Sequence, residues 1–265
     1  MIPPRLGAND WIQPDWPAPP HVRAMCTTRY GGVSTSPYDS LNLGSHVGDD
    51  PTHVAHNRRL LQEALGAKPV FLNQVHGTDM LALAHGTPDG TTADGAFTCE
   101  RGLACIIMVA DCLPVLLCDV QGRQVAAVHA GWRGLAGVDG VGVLEKACKR
   151  FVPLAPAKPT SSAIELIAWL GPCIGPDAFE VGGDVVDAFT RTHAQAAECF
   201  KPLAGGKWLA DLPALARQRL AALGITQVFG NDGSAPWCTV GQPLRFFSHR
   251  RDRISGRQAA CIWLD

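Results

Sequence analysis

The chain has 265 residues, carries 23 Lys+Arg against 24 Asp+Glu for a net charge of −1, and is 46% hydrophobic. That composition excludes a disordered chain, and with only 18% of residues charged it leaves no basic field to attract nucleic acid or anionic lipid. Ten cysteines, none in a C-x-x-C pair, fall short of a disulfide scaffold and predict a reducing compartment.

The N-terminus interrupts any apolar stretch with prolines and aspartates, which predicts no secretion signal, an extended surface segment over residues 1–21 and a cytoplasmic location. Residues 22–265 are expected to form one domain, by default a monomer. Short β-branched or apolar runs predict strands at Val22–Thr28, Val70–Val75, Met80–Leu83, Leu103–Val109, Val115–Cys118, Val125–His129 and Ile164–Leu170. The run Leu103–Cys118 is too short for a typical membrane span and is broken by Asp111 and Pro114, so it reads as core.

Four helices interleave with these strands. Asp50-Pro51 caps and starts the first, with Val54, Leu61 and Leu65 on one face and Gly66 as its stop. A third of similar form runs from Asp211 to Gly224, a second is predicted from Val138 to Phe151, and a shorter one covers Val185–Phe189. The proline-bearing stretch 152–162 reads as a linker or a long surface loop. Strands mixed with helices predict an α/β or α+β class.

Three segments place reactive side chains beside small residues at strand ends: Asn73-Gln74-Val75-His76-Gly77, Ala110-Asp111-Cys112-Leu113-Pro114 and His129-Ala130-Gly131-Trp132-Arg133-Gly134. In the third, a glycine loop leading into a helix near Val138 would offer backbone N–H groups and a helix dipole to an anion, with Arg133 adding a charged fork. The separations among His76, Cys112 and His129 match no short metal motif. Their chemistry is more informative, because two imidazoles and a thiolate suit Zn²⁺ and leave a fourth tetrahedral position open for water or substrate. Taken singly, a cysteine beside Leu113 and Val115 is more often a packed thiol than a ligand, and each lone histidine is more often a surface or hydrogen-bonded core side chain.

Cys99, Cys105, Cys118, Cys148, Cys173, Cys199, Cys238 and Cys261 read as core thiols. His46, in the loop 44–49, is a candidate substrate contact. The chain holds no H-E-x-x-H, G-x-x-x-x-G-K-[ST], G-x-S-x-G or G-x-G-x-x-G pattern, so zincins, P-loop enzymes, α/β-hydrolases and dinucleotide-binding enzymes lose support.

At the segments Thr27–Ser34, Leu41–Gly44, Gly48–Asp50, Asn57-Arg58, the three blocks above, Gly171–Gly175, Glu180–Gly182, Asp211-Leu212, Phe246–Arg251 and Ser255–Arg257, the sequence resembles the laccase-domain or polyphenol oxidoreductase family. Its members are also called purine nucleoside phosphorylase-like and include bacterial peptidoglycan editing factors. The resemblance implies zinc held by His76, Cys112 and His129, with copper ranked behind it, and two packed mixed β-sheets flanked by helices in α/β/β/α layers. It further implies phosphorolysis of adenosine, inosine, guanosine and methylthioadenosine, with adenosine deamination in some members.

Purine nucleoside and phosphate are then the expected partners, with Arg29, Asn42, His46 and Arg133 as candidate contacts and Asp111 as a base or ligand-orienting group. One departure is His249, where the family has an aromatic residue. The alternatives are removal of a wrongly incorporated serine from UDP-MurNAc, a metal-free cysteine hydrolase built on Cys112, a polyphenol oxidase, and a binding protein with a structural metal.

Overall fold

The computed structural model describes residues 11–151 and 165–265. Its strands are β1 (Val22–Cys26), β2 (Lys68–Phe71), β3 (Met80–Ala82), β4 (Gly95–Thr98), β5 (Leu103–Val109), β6 (Leu113–Asp119), β7 (Val125–Ala130), β8 (Leu166–Leu170), β9 (Glu180–Val181), β10 (Phe200–Pro202), β11 (Trp208–Ala210), β12 (Gln227–Gly230) and β13 (Gln258–Leu264). Its α-helices are α1 (Pro51–Leu65), α2 (Trp132–Ala136), α3 (Val143–Cys148), α4 (Gly183–Thr190), α5 (Leu212–Ala222) and α6 (His249–Asp252).

Two mixed sheets carry the fold, in orders β1-β13-β5-β2 and β12-β8-β6-β7-β4-β3, and a small antiparallel sheet β10-β11-β9 is added to them. Successive residues of a strand face opposite sides of its sheet, and their packing partners define the layers. In β5, Cys105, Ile107 and Val109 pack with Leu116, Cys118, Val125 and Ala127 of the six-stranded sheet, forming the core between the sheets. The opposite face of β5, through Ala104, Ile106 and Met108, meets Leu61 and Leu65 of α1. The outer face of the larger sheet, including Val115, Leu117 and Val128, is covered by Leu144 of α3, Val185 of α4 and Leu215 of α5. Helix, sheet, sheet, helix is therefore the layering, as the family resemblance implied.

α1 begins where Asp50 accepts from the Thr52 N–H and ends at Gly66, whose φ of 64° is left-handed. α5 starts in the same way from Asp211, which accepts from Ala214 N–H. The helix expected over 138–151 is shorter. Gly137, Asp139 and Gly140 all hold positive φ, and Val138 bonds back to Val141 in a tight turn, so helix forms only over Val143–Cys148 and Val138 is 75% exposed. The strand expected over Val70–Val75 ends at Phe71, because the chain turns away to carry His76 across to the other sheet. Strand β13 escaped the sequence reading although it pairs with both β1 and β5 at the centre of its sheet. Cys99 is exposed rather than a core thiol, and Cys148 and Cys238 are half-buried. The linker reading of 152–162 lies outside the described residues. No helix of the described residues is long and apolar enough to cross a membrane.

Candidate metal centre and active-site cavity

The three reactive segments meet at one end of the sheet pair. Cys112 sits at the corner where the chain leaves β5 of one sheet and enters β6 of the other, His76 lies on the crossing from β2 to β3, and His129 is the penultimate residue of β7. The donor atoms of these three side chains all lie within 4.8 Å of one another. His76 Nε2 is 3.6 Å from Cys112 Sγ, and the two imidazole rings stand edge to face with centroids 4.8 Å apart. Burial falls from His129, which is inside, through half-buried Cys112 to exposed His76, so the cluster opens toward the surface.

The cluster is built around a carboxylate that the sequence reading missed. Asp94, fully buried just before β4, lies across from His129 on the neighbouring strand β7. Its Oδ1 accepts from His129 Nδ1 and from the His76 N–H, each at 2.8 Å, and its Oδ2 accepts from the Gly77 N–H at 2.6 Å and the Val75 N–H at 3.3 Å. One side chain thereby orients one imidazole and fixes the backbone that carries the other, whose left-handed φ of 61° is unusual for a non-glycine residue. With Nδ1 engaged, His129 presents Nε2 to the cluster. The local sequence Thr91-Thr92-Ala93-Asp94-Gly95 gives no metal or catalytic pattern; only the pairing of β4 with β7 reveals the partner.

Asp111 holds φ at 95° and is locked from several sides. Its Oδ1 accepts from the Thr239 hydroxyl and its Oδ2 from the Arg250 N–H, each at 2.6 Å, while its carbonyl accepts from the Ile174 N–H. Both carboxylate oxygens thus brace the corner that presents Cys112.

Charge couples the cluster. Burial alone would raise the Cys112 thiol, but the charge and hydrogen bonding of His129, joined by His76, outweigh it and bring the thiol down to about 6. Burial alone would lower His129, but the Cys112 thiolate and the Asp94 carboxylate raise it to about 9. Burial opposes ionisation of Asp94, yet His129 and the N–H groups of Gly77 and Val75 hold it below the usual carboxylate range.

The residues present fit a divalent metal. Ligand bonds of roughly 2.0–2.3 Å put neighbouring tetrahedral donors about 3.3–3.8 Å apart, which the His76–Cys112 separation of 3.6 Å meets. Gly131 supplies a second observation. A Cβ there would lie 3.0 Å from His76 Cδ2 and 3.1 Å from Cys112 Sγ, so the absence of a side chain keeps the space between the ligands clear.

The cluster forms one wall of a cavity of about 340 Å³. Trp132, Phe179 and Ile174 supply apolar lining, and Arg133, Arg250, Arg253 and Arg257 line it with positive charge. None of these four guanidinium groups forms an ion pair with a carboxylate among the described residues. Instead, Arg133 lies over the Trp132 ring, Arg250 donates to the Glu180 carbonyl, and Arg257 donates to the carbonyls of Ser255 and Gly256. The positive field comes from these side chains and not from a helix end, since α2 has five residues and starts directly at Trp132, not near Val138.

Of the expected substrate contacts, His46 and Arg133 line the cavity, as does His249. His46 is held toward its neutral form by burial and by the charges of Arg257 and Arg58. Arg29 and Asn42 do not line the cavity. Arg29 donates to the carbonyls of Asp39 and Pro243, and buried Asn42 accepts from the N–H groups of Gly44 and Arg257, supporting the chain on either side of His46 and Arg257. Arg250, Arg253 and Arg257 were missed as cavity residues, although the run Arg250–Arg253 carries three arginines in four positions.

A family model described as multi-copper polyphenol oxidoreductase laccase matches residues 23–265. The chain belongs to this family. Within the polyphenol oxidoreductase laccase family it is 49% identical to a Pseudomonas aeruginosa protein named purine nucleoside phosphorylase, over 97% of this chain and 99% of that one. It is 48% identical to the purine nucleoside phosphorylase YfiH of Escherichia coli, over 96% and 98% of the two chains. Among solved structures of the same fold, a Neisseria meningitidis protein matches with a TM-score of 0.87 and 46% identity over 97% of this chain and 99% of that one. YlmD from Geobacillus stearothermophilus matches with a TM-score of 0.82 and 30% identity over 96% of each chain.

Proposed function

We propose that the protein is a zinc-dependent purine nucleoside phosphorylase whose metal ligands are His76, Cys112 and His129. The observation that carries this reading is the convergence of those three donors on the wall of a cavity that also holds apolar rings and uncompensated arginines. The names of the relatives support the reaction class. Bound by His76, Cys112 and His129, zinc would supply Lewis-acid polarisation. The donor set suits one such ion with an open position; the chain has no H-x-H pairs of the kind a multicopper centre would use.

The chain's own groups divide the remaining work. Trp132 and Phe179 offer rings against which a purine can stack, and His46, kept neutral, can donate or accept one hydrogen bond to base or sugar. Arg133, Arg250 and Arg257 bind and orient phosphate. A phosphate oxygen forms the bond to ribose C1′ as the bond from C1′ to the purine nitrogen breaks, and the arginines fix the direction of that attack. Asp94 keeps His129 in one tautomer and holds its ring still. The test is incubation of metal-loaded protein with inosine or adenosine and phosphate. Free base with ribose-1-phosphate is expected, and adenosine converted to inosine would reveal deamination at the same site; no turnover of any purine nucleoside would overturn the reading.

A second reading is favoured by the arginines. Four guanidinium groups around one cavity exceed what a single inorganic phosphate needs, and they suit a substrate that brings its own phosphates, such as UDP-MurNAc carrying a wrongly added serine. Release of serine from that conjugate, followed by mass spectrometry, distinguishes the two.

A further inference from the structure

Beneath the corner that presents Cys112, two loop segments meet as a pair of short extended strands. The Cys173 N–H donates to the Trp237 carbonyl at 3.2 Å and the Thr239 N–H to the Cys173 carbonyl at 2.9 Å, which makes Cys173 and Cys238 direct partners in a parallel bridge. Such partners have side chains on one face and lie roughly 4.7–4.9 Å apart across the strands. A disulfide asks for Cα atoms about 4.4–6.8 Å apart.

The two sulfurs have different surroundings. Cys238 is half-buried, and its Sγ accepts backbone N–H groups from Gly175 and Gly241, each at 3.3 Å. The two N–H groups hold this sulfur on the more accessible side of the pair, where an electrophile meets it first. Cys173 is fully buried, with Sγ directed to the Ile174 carbonyl at 3.3 Å and approached by Asn231 Nδ2 at 3.4 Å. Burial holds its thiol well above the usual range, which suits a partner that reacts second.

We propose that Cys238 and Cys173 are a redox modification site, at which a hydroperoxide oxidises Cys238 and Cys173 then closes a reversible disulfide with it. With hydrogen peroxide, the Cys238 sulfur attacks one peroxide oxygen, the O–O bond breaks, and the second oxygen leaves as water, giving a sulfenic acid. The Cys173 sulfur then attacks the Cys238 sulfur, the S–O bond breaks, and the hydroxyl leaves with the Cys173 proton as a second water. Two thiols are oxidised by two electrons and one peroxide is reduced.

The modification reaches the metal centre through Asp111. Thr239, next to Cys238, donates to Asp111 Oδ1, and Ile174, next to Cys173, donates to the Asp111 carbonyl. Those contacts hold a left-handed aspartate in place, and Cys112 is the next residue. Drawing the two sulfurs together frees Cys238 from Gly175 and Gly241, shifts both anchors, and loosens the corner that carries Cys112.

The test is peptide mapping of the full-length metal-loaded protein after hydrogen peroxide treatment and alkylation of the remaining thiols. A linked peptide joining Cys173 and Cys238, lighter by two hydrogens than the separate thiol peptides and lost on reduction, is the expected result. The oxidised protein should also release metal to a chelator several-fold faster, and Cys238→Ser should show neither change. Cys173 and Cys238 recovered only as alkylated thiols, or Cys238 recovered only as sulfinic acid, would overturn the proposal. A linked peptide with unchanged metal release would overturn its connection to the metal centre.

Discussion

His129 and Asp94 are joined twice across neighbouring strands: the His129 N–H donates to the Asp94 carbonyl at 2.7 Å, and His129 Nδ1 donates to Asp94 Oδ1 at 2.8 Å. Because Asp94 also accepts from the backbone of Val75, His76 and Gly77, it ties together two of the three proposed metal ligands. An amide at this position cannot serve all these donors, since its nitrogen would face an N–H. Asp94→Asn is therefore expected to weaken zinc binding by about 10–100-fold, read by competition with a chromophoric chelator, with unchanged affinity as the contrary result. Asp94→Ala leaves buried donors without a partner and is expected to cost about 3–5 kcal/mol of stability in urea denaturation.

The ionisable groups of the cluster set how metal-free stability follows pH. His129, raised to about 9, contributes stability that is fully present below about 6.5 and lost as the pH rises through about 9. Cys112, lowered to about 6, contributes stability that is present above about 9 and lost as the pH falls through about 6. Between those limits the two slopes oppose each other, because the folded and unfolded pairs each hold one proton. Asp94, held below the ordinary range, adds stability present above about pH 4 and lost as the pH falls further. Urea titrations of chelator-treated protein should give a plateau across neutral pH and a decline in acid, and Asp94→Asn should flatten that decline.

Gly131 keeps the space between the ligands open, and its φ of −66° is accessible to alanine. Gly131→Ala is expected to fold, with a change in stability of about 1 kcal/mol or less, while losing most of its bound metal. Circular dichroism and elemental analysis of the same sample separate the two effects, and full metal content would contradict the assigned role.

Arg257 carries a charge into the cavity with only backbone carbonyls as partners. If it binds phosphate, Arg257→Gln removes one charge-assisted contact worth about 1.5–3 kcal/mol, and the KM for phosphate should rise about tenfold or more with a smaller change in kcat. Initial rates across phosphate concentration at saturating inosine check this.

The three metal-ligand candidates were legible because their chemistry is uncommon and each stands beside small residues at the end of an apolar run. The α/β/β/α layering followed from the family resemblance, whereas alternation within β5 shows one strand burying both faces and so cannot by itself say which sheet covers which. Asp94 was hidden because its importance depends on strand register, a long-range property. Val138 was misread because its spacing with Leu144 and Phe151 fits a helix, and three residues held at positive φ override that pattern. Arg29 and Asn42 are motif residues whose side chains support the loops around the cavity, a distinction that one-dimensional spacing does not carry.

If His76, Cys112 and His129 together hold one zinc ion, elemental analysis of the purified protein beside Cys112→Ala and His129→Ala reads it directly. Close to one zinc per chain is expected in the parent and near-complete loss in both variants, with circular dichroism retained. Zinc undiminished in the two folded variants, or a different metal at full occupancy in the parent, would contradict it.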